Sequence, residues 1–204
     1  MTELRFAKLT LEQMTDAQRR AAEQILATAK RADGPAGRYM ASTGEFPGPY
    51  SFLLRSPELA LRWRHLADYI RFETSVPLRL NELAILIQAR FWTAQFEWWA
   101  HYPLALRAGL PQSIADELKV GKRPTNMRLD EEAVYDFCVE LMREHHVQDA
   151  TFAKLKAQFT EEQIADLVAV TGLYATVSMI LNTVEAQIPA GEAVPLAPLV
   201  EPLR

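Results

Sequence analysis

The sequence holds a single cysteine, Cys138, in 204 residues. One thiol excludes an intramolecular disulfide and a C-x-x-C redox pair, so nothing indicates an oxidising compartment. Cationic excess is also lacking: 22 Lys and Arg stand against 26 Asp and Glu, a formal net charge of −4, and the basic residues are scattered. Such a chain has no electrostatic hold on a phosphate backbone, and no nucleic-acid partner is expected. The opening MTELRFAKLT has no apolar signal core, which makes the cytoplasm the expected location. One long apolar run exists, IADLVAVTGLYATVSMILNTV at 164–184, and its length approaches a bilayer span. Asp166, Gly172, Ser178 and Asn182 interrupt it, so it reads as the buried helix of a soluble protein, with no membrane partner.

Strand signals are nearly absent, whereas helical signals recur. Thr15 with Gln18 forms a capping-box pattern that opens a helix to about Lys30, and Thr160 with Gln163 repeats it before the long apolar helix, expected over 161–187. Ser56-Pro57-Glu58 starts a helix to about Phe72. The stretch RLNELAILIQARFW at 79–92 is apolar around most of its circumference, which means a helix with little exposed surface. Thr93 is positioned to cap the next helix, 94–108, which Pro103 should kink and Gly109 should end. Shorter helices are expected from Ser113 to Val120, from Asp130 to Glu144 and from Asp149. The segment 31–50 contains four of the eight glycines and three of the twelve prolines, so a loop is expected there, of the length that often carries function. The chain therefore reads as one all-α domain, 1–187, followed by a proline-rich tail, 188–204. That tail is either a frayed end or an arm laid over a neighbouring subunit. Together with the aromatic-rich helix, whose tryptophans suit a subunit contact, it favours a homo-oligomer, a dimer or a trimer-based ring.

The stretch TAQFEWWAHYPLALRAG at 93–109 raises the functional question. On a helix, Glu97 and His101, four positions apart, share a face with the small Ala94 and Ala105. The plain alternative is a surface hydrogen bond between the two. A carboxylate beside an imidazole raises its proton affinity and fixes its tautomer, which serves acid/base chemistry. Glu82 sits in the most apolar helix and needs a partner, which His101 or Arg90 could supply. Glu-x-x-x-His offers only two metal ligands and the other histidines have no suitable spacing, so no metal is expected.

Glu82 within ELAILIQAR, then Glu97-Trp98-Trp99-Ala100-His101, Ala105 and Ala108-Gly109, resembles the carboxymuconolactone decarboxylase and alkylhydroperoxidase D-like superfamily over about residues 45–120, and TGLYATVSMILN at 171–182 resembles a later core helix of that fold. The resemblance implies an alkylhydroperoxidase D-like helical fold whose site sits on an antiparallel helix pair. In the peroxidase branch the second helix carries C-x-x-C-x-x-x-H, with an upstream glutamate in the proton relay; counting back from His101 puts those cysteine positions on Ala94 and Glu97, and the upstream glutamate falls on Glu82. Without either sulfur, thiol peroxidase chemistry is not expected. The decarboxylase branch carries a glutamate four residues before the histidine, as here, and uses no cofactor. By that resemblance the expected function is a cofactor-independent lyase acting on a small carboxylated lactone or related acid. His101 would donate the proton, Glu97 would orient and charge it, and Glu82 would relay protons. Arg90 would clamp the substrate carboxylate, and Arg38, Tyr39 and Tyr50 would close the pocket. The alternative is a non-catalytic oligomeric protein that binds a small molecule in the same pocket.

Overall fold

The structure is a computed structural model that describes residues 5–6, 9–10, 12–29, 34–46 and 48–203. The expectations that touch Lys30, residues 31–33 and Pro47 lie outside these residues. Among the described residues there are ten helices and no strand. The all-α reading holds.

The central element is α5, Leu78–Phe91, in which every residue from Leu80 to Arg90 is buried. It is joined to α6, Gln95–Arg107, by a short turn. Ala94 donates its N–H to the Ala89 carbonyl at 2.8 Å, and farther from the turn His101 meets Glu82 at 2.8 Å. Both pairs are centred on the same point of the turn, the register of an antiparallel hairpin. Around α5 pack α6, α7 (Gln112–Lys119), α8 (Leu129–Glu144) and α10 (Glu161–Val184), while α9 (Asp149–Gln158) rests on α8 and α10. Fully buried side chains such as Leu83, Ile85, Leu86 and Ile87 each contribute about 1.5–3 kcal/mol of burial. A second apolar cluster is built from α1 (Asp16–Ala29), α2 (Pro35–Thr43), α3 (Tyr50–Leu53) and the start of α4 (Pro57–Phe72), through Ile25, Met40, Leu53 and Ala60. Helix α4 belongs to both clusters, since Ala67 and Ile70 pack into the α5-centred one. The candidate site lies at this seam.

The long apolar helix is α10. It is long and apolar enough to cross a membrane, but half of that window is buried inside the fold, with Leu167, Val170, Leu173, Val177 and Leu181 in the core. Its start is closed as the sequence indicates: Thr160 N–H donates to Gln163 Oε1 at 3.0 Å and Gln163 N–H to Thr160 Oγ1 at 3.2 Å. Thr15 and Gln18 form the same pair at 2.9 and 3.3 Å.

Several expectations are corrected. The segment expected as a loop contains α2, and its last residue, Tyr50, opens α3. Pro35 occupies the first helical turn of α2 and Gly44 its C-cap at φ 69, with its N–H on the Met40 carbonyl, so these residues bound a helix instead of preventing one. Thr93 does not cap α6. It turns the hairpin at φ 50, and Ala94 takes the N-cap position. Arg128, not Asp130, precedes α8, and its backbone N–H donates to Glu131 Oε2 at 2.7 Å. Helix α10 stops at Val184, where Glu185 turns left-handed at φ 51. Trp98 is 1% exposed and has no area left for a subunit contact; Trp99, half-buried, packs against Phe96 with ring centroids 5.3 Å apart. The tail is tied to the domain through Leu196 and Leu203. Gln95 takes both backbone groups of Leu196, at 2.8 and 2.9 Å, and Leu196 and Leu203 are buried.

Candidate active site

The seam holds a cavity of about 110 Å³. Helix α6 contributes Phe96, Glu97 and His101, α4 contributes Trp63, Arg64 and Arg71, and Tyr50 and Tyr174 come from α3 and α10.

His101 is held from two sides. Its Nδ1 lies 2.8 Å from Glu82 Oε2, and its ring meets Tyr174 edge-on with centroids 5.0 Å apart. With Glu82 accepting, Nδ1 carries a proton. Nε2 then has no protein partner among the described residues. Glu82 is 4% exposed, and pairing with His101 is what makes a carboxylate tolerable among leucines and isoleucines.

Glu97 does not orient His101, although the two share a helix. Its Oε2 accepts from Ser178 Oγ of α10 at 2.8 Å, and its Oε1 is buried with no protein partner. Burial pushes its carboxyl well above the usual carboxylate range, and the Ser178 hydroxyl only partly opposes this. Burial therefore favours the neutral acid form of Glu97. The two glutamates have parted company: Glu82 is the histidine's partner and Glu97 stands as a separate buried carboxyl.

The cations of the site come from α4. Arg71 lines the cavity, with its guanidinium 4.9 Å from the Phe72 ring centroid, and has no hydrogen bond or ion pair among the described residues. Burial works against its charge, but the potential of Tyr174, Glu82, Tyr50 and Asp68 outweighs this and its pKa is raised. It stays a cation. Arg64 is already engaged, donating from Nε to Asp68 at 2.7 Å and from Nη1 to the Ile25 carbonyl at 3.2 Å. These two arginines were not singled out from the sequence. Their spacing of seven on one helix, with Ala60 and Ala67 alongside, was the available signal.

The other expected binders divide. Tyr50 is at the cavity, and burial pushes its phenol pKa up. Arg90 is elsewhere: it is 1% exposed, donates from Nη2 to the Ala197 carbonyl at 2.8 Å, and lines neither this cavity nor the larger one beside it. It holds the tail. Arg38 is exposed, and Tyr39 donates its hydroxyl to Glu45 at 2.7 Å in the lining of the larger cavity. Cys138 is buried against Thr171 of α10, with Sγ 3.5 Å from the hydroxyl, and burial pushes the thiol up to about 12. It supplies no thiolate.

No protein-family profile and no curated protein sequence matches the chain. Solved structures do. An uncharacterized peroxidase-related protein from Ralstonia eutropha, with an alkylhydroperoxidase core, superposes with a TM-score of 0.69 at 16% identity, over 92% of this chain and 93% of its own. A protein of unknown function from Agrobacterium tumefaciens gives 0.62 at 19% identity, over 68% of this chain and 96% of its own. A debrominase in complex with 2,3,4-tribromopyrrole gives 0.67 at 16% identity, over 93% and 94%. The chain has the alkylhydroperoxidase D-like fold, and that fold is used by at least one enzyme of small organic molecules.

Proposed function

We propose that the cavity is the active site of a cofactor-independent acid/base enzyme that decarboxylates a small carboxylic acid of the carboxylated-lactone or β-keto type. One observation carries this reading: a buried carboxyl, a histidine bound to a second carboxylate and an unpaired arginine border the same small cavity. Arg71 holds a substrate carboxylate. Loss of carbon dioxide leaves its bonding electrons on the substrate, where they spread toward a conjugated carbonyl. His101, as imidazolium, donates from Nε2 to the oxygen that gains charge, with Glu82 balancing the cation. Glu97 delivers its proton to carbon and is reprotonated from solvent, so the net change is exchange of the carboxylate for hydrogen. The apolar walls strengthen each of these interactions by keeping the local dielectric low.

The test is carbon dioxide release and ligand binding across a panel of carboxylated lactones and β-keto acids. On an accepted substrate, His101→Asn and Glu97→Gln should each lower turnover by about 10²-fold or more, with binding of the acid retained. Wild-type turnover by His101→Asn would remove the acid/base assignment. Binding without turnover by the unaltered protein would support the second reading, a small-molecule-binding protein that uses the same cavity.

A further inference from the structure

At about 110 Å³ the cavity is smaller than the dry cavity of about 150 Å³ that accepts benzene. It has room for the reacting end of an acid, and the rest of a larger substrate must extend beyond it. Beside it lies a cavity of about 360 Å³, walled by hydrocarbon from Phe46, Phe52, Leu54, Val184 and Ile188. Its polar groups are largely engaged: Tyr39 donates to Glu45, Ser51 donates to the Gly48 carbonyl at 2.9 Å, and Arg55 stacks 5.0 Å from the Phe6 ring centroid. What this chamber offers a ligand is mainly apolar surface.

One side chain, Phe96, lines both cavities. It stands in the first turn of α6, next to Glu97, and is 4% exposed. Its ring is seated on Gly48, whose φ is +64 and where a Cβ would come within 2.5 Å of Phe96 Cε1. Glycine at this position lets the aromatic wall stand where it does.

We propose that the two cavities are halves of one bipartite site for an amphipathic carboxylic acid. Its carboxylate sits at Arg71 in the smaller chamber, and its apolar remainder passes Phe96 into the larger one. This rests on the reading of Arg71 as the anion holder and extends it to the length and polarity of the substrate. Phe96 is then the residue that sets chain length, and a ligand that fills both chambers turns its ring aside.

Calorimetric titration of the full chain with straight-chain carboxylates from butanoate to decanoate tests this, for the unaltered protein and for Phe96→Ala, Phe96→Trp and Arg71→Gln, with melting temperatures as the folding control. Affinity should rise with chain length by up to about fourfold per methylene once the tail passes Phe96. Phe96→Ala should steepen that rise. Phe96→Trp should flatten it, and should Phe96→Trp fail to fold, the alanine variant decides alone. Arg71→Gln should weaken every acid by a similar factor. Length-independent affinity, or Phe96 variants that change short and long acids alike, would overturn the bipartite site while leaving Arg71 as anion holder. If Arg71→Gln changes nothing, the carboxylate is not bound there, and both this proposal and the functional reading beneath it fall.

Discussion

Arg90 and Arg71 are both drawn into the fold, and they end in opposite situations. Arg90, in the last turn of α5, spends Nη2 on the Ala197 carbonyl and is shut beneath the tail, with Nε and Nη1 lacking protein partners. Burial pulls its pKa below the ordinary guanidinium value. Arg71, in the last turn of α4, opens onto the smaller cavity with no bond spent. Burial of a charge therefore does not by itself mark a ligand group. The mark is charge left unspent where a molecule can reach it, and by that measure the tail side of the hairpin is architecture and the α4 side is where the proposed chemistry sits.

The largest expected effect sharpens this contrast. Arg71→Gln should weaken binding of a small carboxylate by about 10–100-fold, the worth of a hydrogen bond to a charged group, with melting nearly unchanged. A loss below about threefold, by titration, would break the comparison. Arg90→Met should do the reverse. Carboxylate affinity stays the same, while docking of the tail weakens by about 1.5–3 kcal/mol, visible as faster hydrogen exchange after Ile188.

A smaller effect concerns Glu97, whose folded-state pKa is raised by burial. The folded protein then binds this proton more tightly than the unfolded chain does. The contribution is fully present below the ordinary carboxylate range and is lost as pH rises toward the raised value. Glu97→Gln should remove that slope, so the variant gains on the unaltered protein in melting temperature as pH increases through this window. Parallel melting curves would show that Glu97 is ionised in the fold. The smallest expected effect is at Cys138. With the thiol pushed up to about 12, Cys138→Ser should leave turnover unchanged, and the native thiol should resist alkylation until the protein unfolds. Rapid labelling of the folded protein would contradict this.

What could be read in the sequence was whatever is local. The capping pairs at Thr15 and Thr160 span three residues, and the apolar circumference of α5 is visible within one helix. The pairing of His101 was legible only as a choice between neighbours. Spacing put Glu97 on the same face, but its carboxyl turns to Ser178, 81 positions away, and no helical periodicity reports a contact at that distance. Arg64 and Arg71 were passed over because charges on an amphipathic helix normally face water. Here α4 is covered by α1 on one side and α10 on the other. The glycines and prolines of 31–50 signalled a loop because they mark helix ends and loops alike.

The sequence separations across the site also imply an order of assembly. His101 and Glu82 are 19 residues apart, whereas Glu97 waits for Ser178 at 81 and the hairpin turn waits for its tail at 101 and 107. Contacts close in sequence cost less loop entropy to close, so the α5–α6 hairpin can form its histidine–glutamate pair early. During that interval Glu97 still faces water and behaves as an ordinary carboxylate. Only when α10 docks does it lose its solvent, and burial then favours its protonated form, so completion of the tertiary structure and the rise in the acid's proton affinity are one event.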